Sequence, residues 1–218
     1  MIGAVIAMQS EADILLEQMK IERTLTVSGK PIHVGQAFGK PIAVCVCGVG
    51  KVNAALGAQL LISKFDVKKL VNFGVAGGLN FQTELCAVYQ ISHAVQFDFD
   101  LAELNGTKIG TLNEYEENYL ALNLLSASFP TKKLGTADRF NDSEEDYRLL
   151  TKELEADIRD MEGGAIVQAA YAAQLPVFAF KAISDVAGSG STTQQFLQNK
   201  AAALVNLKTV LPVLFEEL

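Results

Sequence analysis

The sequence has little histidine, cysteine or proline, and it lacks any run of basic residues. His33 and His93 are its two histidines, and neither has another candidate ligand beside it in sequence, so a histidine-based metal site is not expected. The three cysteines make an odd count. The spacing Cys45-Val46-Cys47 fits no common zinc motif, so Cys45, Cys47 and Cys86 are expected as free thiols of the core. With 18 Lys+Arg against 25 Asp+Glu the net charge is −7, and no basic-aromatic stripe breaks that balance. This argues against a nucleic-acid surface and favours a small-molecule partner. The apolar run from Met1 to Met8 is too short to span a membrane and has no basic segment ahead of it. It therefore reads as a first strand rather than a signal peptide, and a cytoplasmic protein with no membrane partner is expected.

What the chain has is bulk. Half of its 218 residues are hydrophobic and five are proline, enough for a large core, and one domain over residues 1–218 is expected. After the first strand, Gln9-Ser10-Glu11 leads into a helix carrying Ile14, Leu15 and Met19, with Ser10 a candidate cap. Thr24 to Val27, Ile32 to Phe38 and Ile42 to Cys47 read as three strands joined by the turns Ser28-Gly29-Lys30 and Gly39-Lys40-Pro41, hence antiparallel hairpins. Gly48-Val49-Gly50-Lys51 opens an Ala-rich helix from Val52 to about Phe65, but Asn53 stands where the dinucleotide fingerprint requires a third glycine. Leu70 to Phe73 is a buried strand, and Gly74 to Leu79 is expected as a flexible turn where backbone approaches a ligand.

Further along, Ala87 to Val95 reads as a strand, Leu101 to Glu117 as an exposed loop, and Tyr119 to Ser126 as a helix. Lys133 to Asn141 reads as strand into loop and Ser143 to Leu154 as a polar helix. A last helix starts near Thr192, repeats Leu197, Ala201, Leu204, Leu207 and Leu211, and should kink or end at Pro212. Strands with interspersed helices, three of the strands in hairpins, predict a three-layer α/β/α domain with a mixed central sheet.

Two stretches carry the chemistry. Asp160-Met161-Glu162-Gly163-Gly164 follows a short strand and opens a helix, which sets Glu162 at a strand-to-helix corner. The apolar run Pro176 to Phe180 leads to Lys181-Ala182-Ile183-Ser184-Asp185, so Asp185 comes to the carboxyl end of a buried strand, where ligands of open α/β sheets bind. Glu11 lies on a first helical turn just past another strand end. Taken singly, Asp185 reads equally as a turn cap and Glu11 as a helix-dipole partner.

Taken together, six motifs occur in order. They are Ala7-Met8-Gln9-Ser10-Glu11, Gly48-Val49-Gly50-Lys51-Val52, Gly74-Val75-Ala76-Gly77-Gly78, Ala137-Asp138-Arg139-Phe140, Asp160-Met161-Glu162 and Ala182-Ile183-Ser184-Asp185. In order and spacing they resemble the bacterial 5′-methylthioadenosine/S-adenosylhomocysteine nucleosidases of the purine nucleoside phosphorylase superfamily. The resemblance implies a homodimeric hydrolase of the N-glycosidic bond of adenine nucleosides, with no metal and no cofactor. It makes Glu11 the carboxylate that activates water and Asp185 the acid at N7 of the purine. Glu162 would bind the ribose hydroxyls, Met161 would pack on the sugar and Phe140 would stack on the base. Val75, Ala76, Gly77, Asn141, Lys181 and Ser184 complete the substrate-binding residues it implies.

The chemistry needs these types, because adenine leaves readily only when protonated and a sugar cation needs little more than oriented water. Asn72 and Val75 stand where related phosphorylases carry an Arg and a Ser for phosphate, so hydrolysis is expected over phosphorolysis. The chain departs from the family pattern at Gln9, Ser10, Val75, Lys181 and Phe97-Asp98-Phe99-Asp100. Water positioning is then either rebuilt here or dependent on Lys181, and the stretch from Phe97 to Leu104 is a candidate to complete a neighbour's site. The alternatives are a futalosine or aminodeoxyfutalosine hydrolase, a phosphorylase, and a nucleoside-binding protein with weak catalysis.

Overall fold

The computed structural model describes residues 1–80, 82–125, 129–140 and 142–218. Its first half contains β1 (Ile2–Ile6), α1 (Gln9–Leu16), β2 (Met19–Val27), β3 (Lys30–Ala37), β4 (Lys40–Val46), α2 (Lys51–Phe65), β5 (Lys69–Gly78) and β6 (Val88–Gln96). Then come α3 (Ala102–Asn105), β7 (Leu120–Ala121), β8 (Thr131–Thr136), α4 (Glu144–Arg148), β9 (Ile158–Asp160), α5 (Gly163–Ala172), β10 (Val177–Val186) and α6 (Thr192–Glu217). A wider π turn, Leu149–Glu153, continues α4.

The sheet is mixed. β1 pairs in parallel with β4 and β5, β5 with β10, and β6 with β8, whereas the β2–β3 and β3–β4 hairpins are antiparallel. β5 also meets β9 at Gly77 and Gly78, so the order β10-β6-β8-β9-β5 closes back on β10. Strand periodicity divides the core into two faces. Ile2, Ala4 and Ile6 join the layer of α1 and α6, while Val5 and Ala7 join the layer of α2 and α5. The α/β/α arrangement expected from the sequence is therefore the one observed.

Several boundaries differ from expectation, each for a local reason. Met8, not Ser10, is the residue before α1, because the Glu11 side chain turns back to accept from the Met8 amide at 3.0 Å. Met19 opens β2 instead of extending α1. The glycines from Gly74 to Gly78 do not form a turn; they continue β5, paired with β10 along the whole run. No helix occupies residues 119–125: Leu120–Ala121 is a short strand on β6, and Ser126 lies outside the described residues. The stretch 101–117 contains the short helix α3 and buries Thr111 and Leu112.

In α6 the buried stripe is Ala203, Leu204, Leu207, Leu211, Leu214 and Phe215; Leu197 is 73% exposed and Ala201 is exposed too, so the stripe begins nearly two turns later than predicted. The helix also runs on through Pro212 to Glu217. Cys45 and Cys47 are free and buried, and Cys86 is free and half-buried. No helix among the described residues is long and apolar enough to cross a membrane.

Candidate active site

The strands end where the acids stand. Glu11, on the first turn of α1, is buried, and its two oxygens accept from the backbone amides of Met8 (3.0 Å) and Val75 (2.8 Å). A Cβ at residue 74 would come within 2.7 Å of Glu11 Oε1, so glycine at that position is what lets the carboxylate lie against β5. Burial pushes the Glu11 carboxyl above the usual carboxylate range, against the charge of Lys181 and the two amide hydrogen bonds.

Glu162 sits between β9 and α5, and its Oε1 accepts from the Gly50 amide at 2.9 Å. Burial, with the nearby Asp160 charge, raises its carboxyl to about 7. Asp185, near the end of β10, is buried and accepts a 2.8 Å hydrogen bond from the Ser184 hydroxyl. Burial raises it too, while the Ser184 bond and the charge of Arg159 act in the opposite direction. Carboxylic acids held above their usual range in a cleft are suited to proton transfer near neutral pH.

These three acids line one cavity of about 280 Å³. Ala7 and Met8, just past the end of β1, close it on one side, and Val75, Ala76 and Gly77 line it from β5. Met161, Ser184 and Phe140 complete the wall, together with Arg139, Arg159, Val49, Asp160 and Phe196. Phe140 is 50% exposed and stands edge-on to Phe196, with ring centroids 5.6 Å apart, which leaves an aromatic lip at the mouth. Among the described residues no group of His, Cys, Asp and Glu is arranged to hold a metal ion.

Of the residues singled out from sequence, Glu11, Asp185, Met161, Glu162, Phe140, Val75, Ala76, Gly77 and Ser184 are brought together on this wall. Lys181 is not on it. Its ammonium is buried behind the wall, 2.8 Å from Asp160 Oδ2, and Asn141 lies outside the described residues. Phe97, expected at a subunit contact, is buried beside Leu79 and Leu150, whereas Leu104 at the tip of the same stretch is exposed. Sequence reading missed Arg159, Phe196 and the role of Asp160. Arg159 had a signal: an arginine within β9, one residue before the acidic corner, has to turn a charge toward the site or bury it.

The phosphorylase superfamily model matches residues 1–212. This chain belongs to that superfamily. Among its relatives is the 5′-methylthioadenosine/S-adenosylhomocysteine nucleosidase of Marinomonas sp., 30% identical over 205 residues, covering 87% of each chain. The Colwellia psychrerythraea nucleosidase of the same name is 28% identical over 219 residues, covering 91% of this chain and 90% of its own. A crystal structure of a Colwellia psychrerythraea nucleosidase in complex with adenine superposes with a TM-score of 0.89 at 28% identity, covering 99% of this chain and 95% of that one. The futalosine hydrolase of Helicobacter pylori superposes with a TM-score of 0.90 at 22% identity, covering 100% and 97%, a likeness of fold alone.

Proposed function

We propose that this superfamily member hydrolyses the N-glycosidic bond of 5′-modified adenine nucleosides, 5′-methylthioadenosine and S-adenosylhomocysteine, to release adenine. The observation that carries the reading is the meeting of Glu11, Glu162 and Asp185 on one cavity, each buried and each with a raised pKa. The names of the nucleosidase relatives support the substrate class.

Asp185 gives its proton to N7 of the base, the C1′–N9 bond breaks with its electron pair going to the base, and adenine leaves neutral. Water then adds to C1′ and passes a proton to Glu11, which returns it to Asp185 through solvent; the sum is addition of one water across the bond. Glu11 and Asp185 are anchored against Val75 and Gly77, two residues apart on β5, so roughly 7 Å along the strand. An acid and a base on opposite sides of a sugar need room for a water between them, and the two acids are held at different points along β5. Glu162, fixed by the Gly50 amide, is the acceptor for the ribose hydroxyls, Met161 packs on the sugar, and Phe140 covers the base.

Asn72 gives its amide to the Val5 carbonyl at 2.9 Å and does not line the cavity, and Val75 offers no donor side chain. Neither serves a phosphate dianion. The test is base release from both substrates with and without phosphate. Equal release is expected, and a phosphate requirement with ribose 1-phosphate as product would overturn the reading.

The assembly belongs to the same proposal. Val49, Val52 and Leu56 expose an apolar face near the cavity mouth, with Leu104 also exposed, and we take a homodimer in the cytoplasm to cover such a face. Light scattering showing a fully active monomer would remove the dimer.

A further inference from the structure

Arg159, Gly77 and Asp185 lie in one row across three neighbouring strands. Arg159 on β9 is the cross-strand partner of Gly77 on β5, and Gly77 is in turn the partner of Asp185 on β10. Partners in register send their side chains to the same face of a sheet, and the central member of this row has none. The gap over Gly77 is bounded on both sides: a Cβ there would stand 2.8 Å from Asp185 Oδ1 and 3.4 Å from Arg159 Nε. All three residues line the cavity.

The guanidinium is mostly buried and poorly partnered. Its contact among the described residues is Asp142 Oδ1 at 4.0 Å, beyond hydrogen-bond reach, and it reaches Asp185 through charge alone. Its nitrogens keep access to solvent at the cavity wall, so the N–H donors are available to an acceptor on a ligand.

We propose that the base end of this site accepts 6-oxopurine nucleosides as well as 6-aminopurine ones, with Arg159 donating to O6 while Asp185 serves N7. The inference rests on the reading that the purine places N7 at Asp185. N7 and the C6 substituent share one edge of the ring, so a base seated over Gly77 with N7 toward Asp185 turns its C6 group toward Arg159. On a 6-oxopurine that edge is two acceptors, the pattern that arginine reads on guanine; on adenine the second group is an amino donor. Hydrolysis follows the same balance: the proton goes from Asp185 to N7, C1′–N9 breaks, water adds at C1′, and hypoxanthine leaves. Negative charge that builds on O6 as the bond breaks is met by the guanidinium.

The probes are 5′-methylthioadenosine and its 6-oxo counterpart 5′-methylthioinosine, which differ at C6 alone, with base release followed by chromatography. Hypoxanthine release at a kcat/KM within about tenfold of adenine release is expected, the size of one good hydrogen-bonding preference. In Arg159→Leu the hypoxanthine-to-adenine ratio of kcat/KM should fall by about 10–100-fold, with Arg159→Lys intermediate because the charge stays and the fork is lost. Adenine release without hypoxanthine release, or an unchanged ratio in the leucine variant, overturns this inference and leaves the nucleosidase reading standing. No base from either probe overturns both. Should Arg159→Leu fail to fold, calorimetric titration of the unaltered protein decides: hypoxanthine is expected to bind at least as tightly as adenine, and weaker binding by about tenfold or more contradicts the inference.

Discussion

The ammonium of Lys181 lies 2.8 Å from Asp160 Oδ2, and both groups are sealed from solvent. Asp160 is satisfied on every side, accepting also from the Thr136 hydroxyl at 2.6 Å and the Gly163 amide at 2.8 Å. Burial alone would lower the Lys181 pKa, but Asp160, Glu162 and Glu11 around it outweigh burial and raise it. One cation thus sets the balance of three buried carboxylates, all of them on the cavity wall. It lies behind the wall, off the cavity lining, and acts on those acids through its charge.

Removing one partner of a buried pair leaves an uncompensated charge. Lys181→Met should therefore cost about 3–5 kcal/mol of stability by urea denaturation, and adding Asp160→Asn should return part of it. A loss under about 1 kcal/mol, the worth of an exposed pair, would show that the pair is hydrated in solution.

Glu11→Gln keeps the shape of the side chain and one of its two acceptors, for the Met8 or the Val75 amide, but loses its basicity. Turnover should fall by about 10²–10⁴-fold, with adenine affinity held to within a small factor. Near-normal turnover would reduce Glu11 to a residue that satisfies the Met8 and Val75 amides.

For Glu162 the sign of pH dependence follows from its raised pKa. The unfolded carboxyl ionises near 4.5 and the folded one near 7, so across that window the folded state holds a proton that the unfolded chain has lost. Its contribution favours folding below 4.5 and is lost as pH rises through about 7. Glu162→Gln, which cannot ionise, should gain stability relative to the parent as pH climbs from 4.5 to about 7 in denaturation curves. A difference that does not change with pH would contradict this.

How much of this was written in the sequence depends on the kind of signal. Strand and helix order was legible where periodicity was strong, as in β1, β4, α2 and β6. The acids were legible because an ionised group is seldom left at a buried strand end without a partner or a task. The glycines from Gly74 to Gly78 misled because composition reports flexibility, whereas here glycine is demanded by side chains pressing on a strand: Glu11 on Gly74 and Asp185 on Gly77. The cap of α1 misled because Ser10 has the favoured chemistry but Glu11 has the geometry. Arg159 showed only its charge beside the acidic corner; its place opposite Gly77 and Asp185 was not legible, because cross-strand register is set by pairings between β5, β9 and β10 that are distant in sequence.

The central claim is that Asp185 protonates the leaving base. Asn is nearly isosteric and can still hydrogen-bond to N7, but it cannot donate a proton of comparable acidity. The decisive measurement compares Asp185→Asn with the parent on 5′-methylthioadenosine and on a nitrophenyl riboside, whose leaving group departs without protonation. The account predicts a fall in kcat of about two to four powers of ten on the nucleoside and a much smaller fall on the riboside. Equal falls on both would mean that Asp185 organises the end of β10 and is not the acid, and the mechanism would not stand.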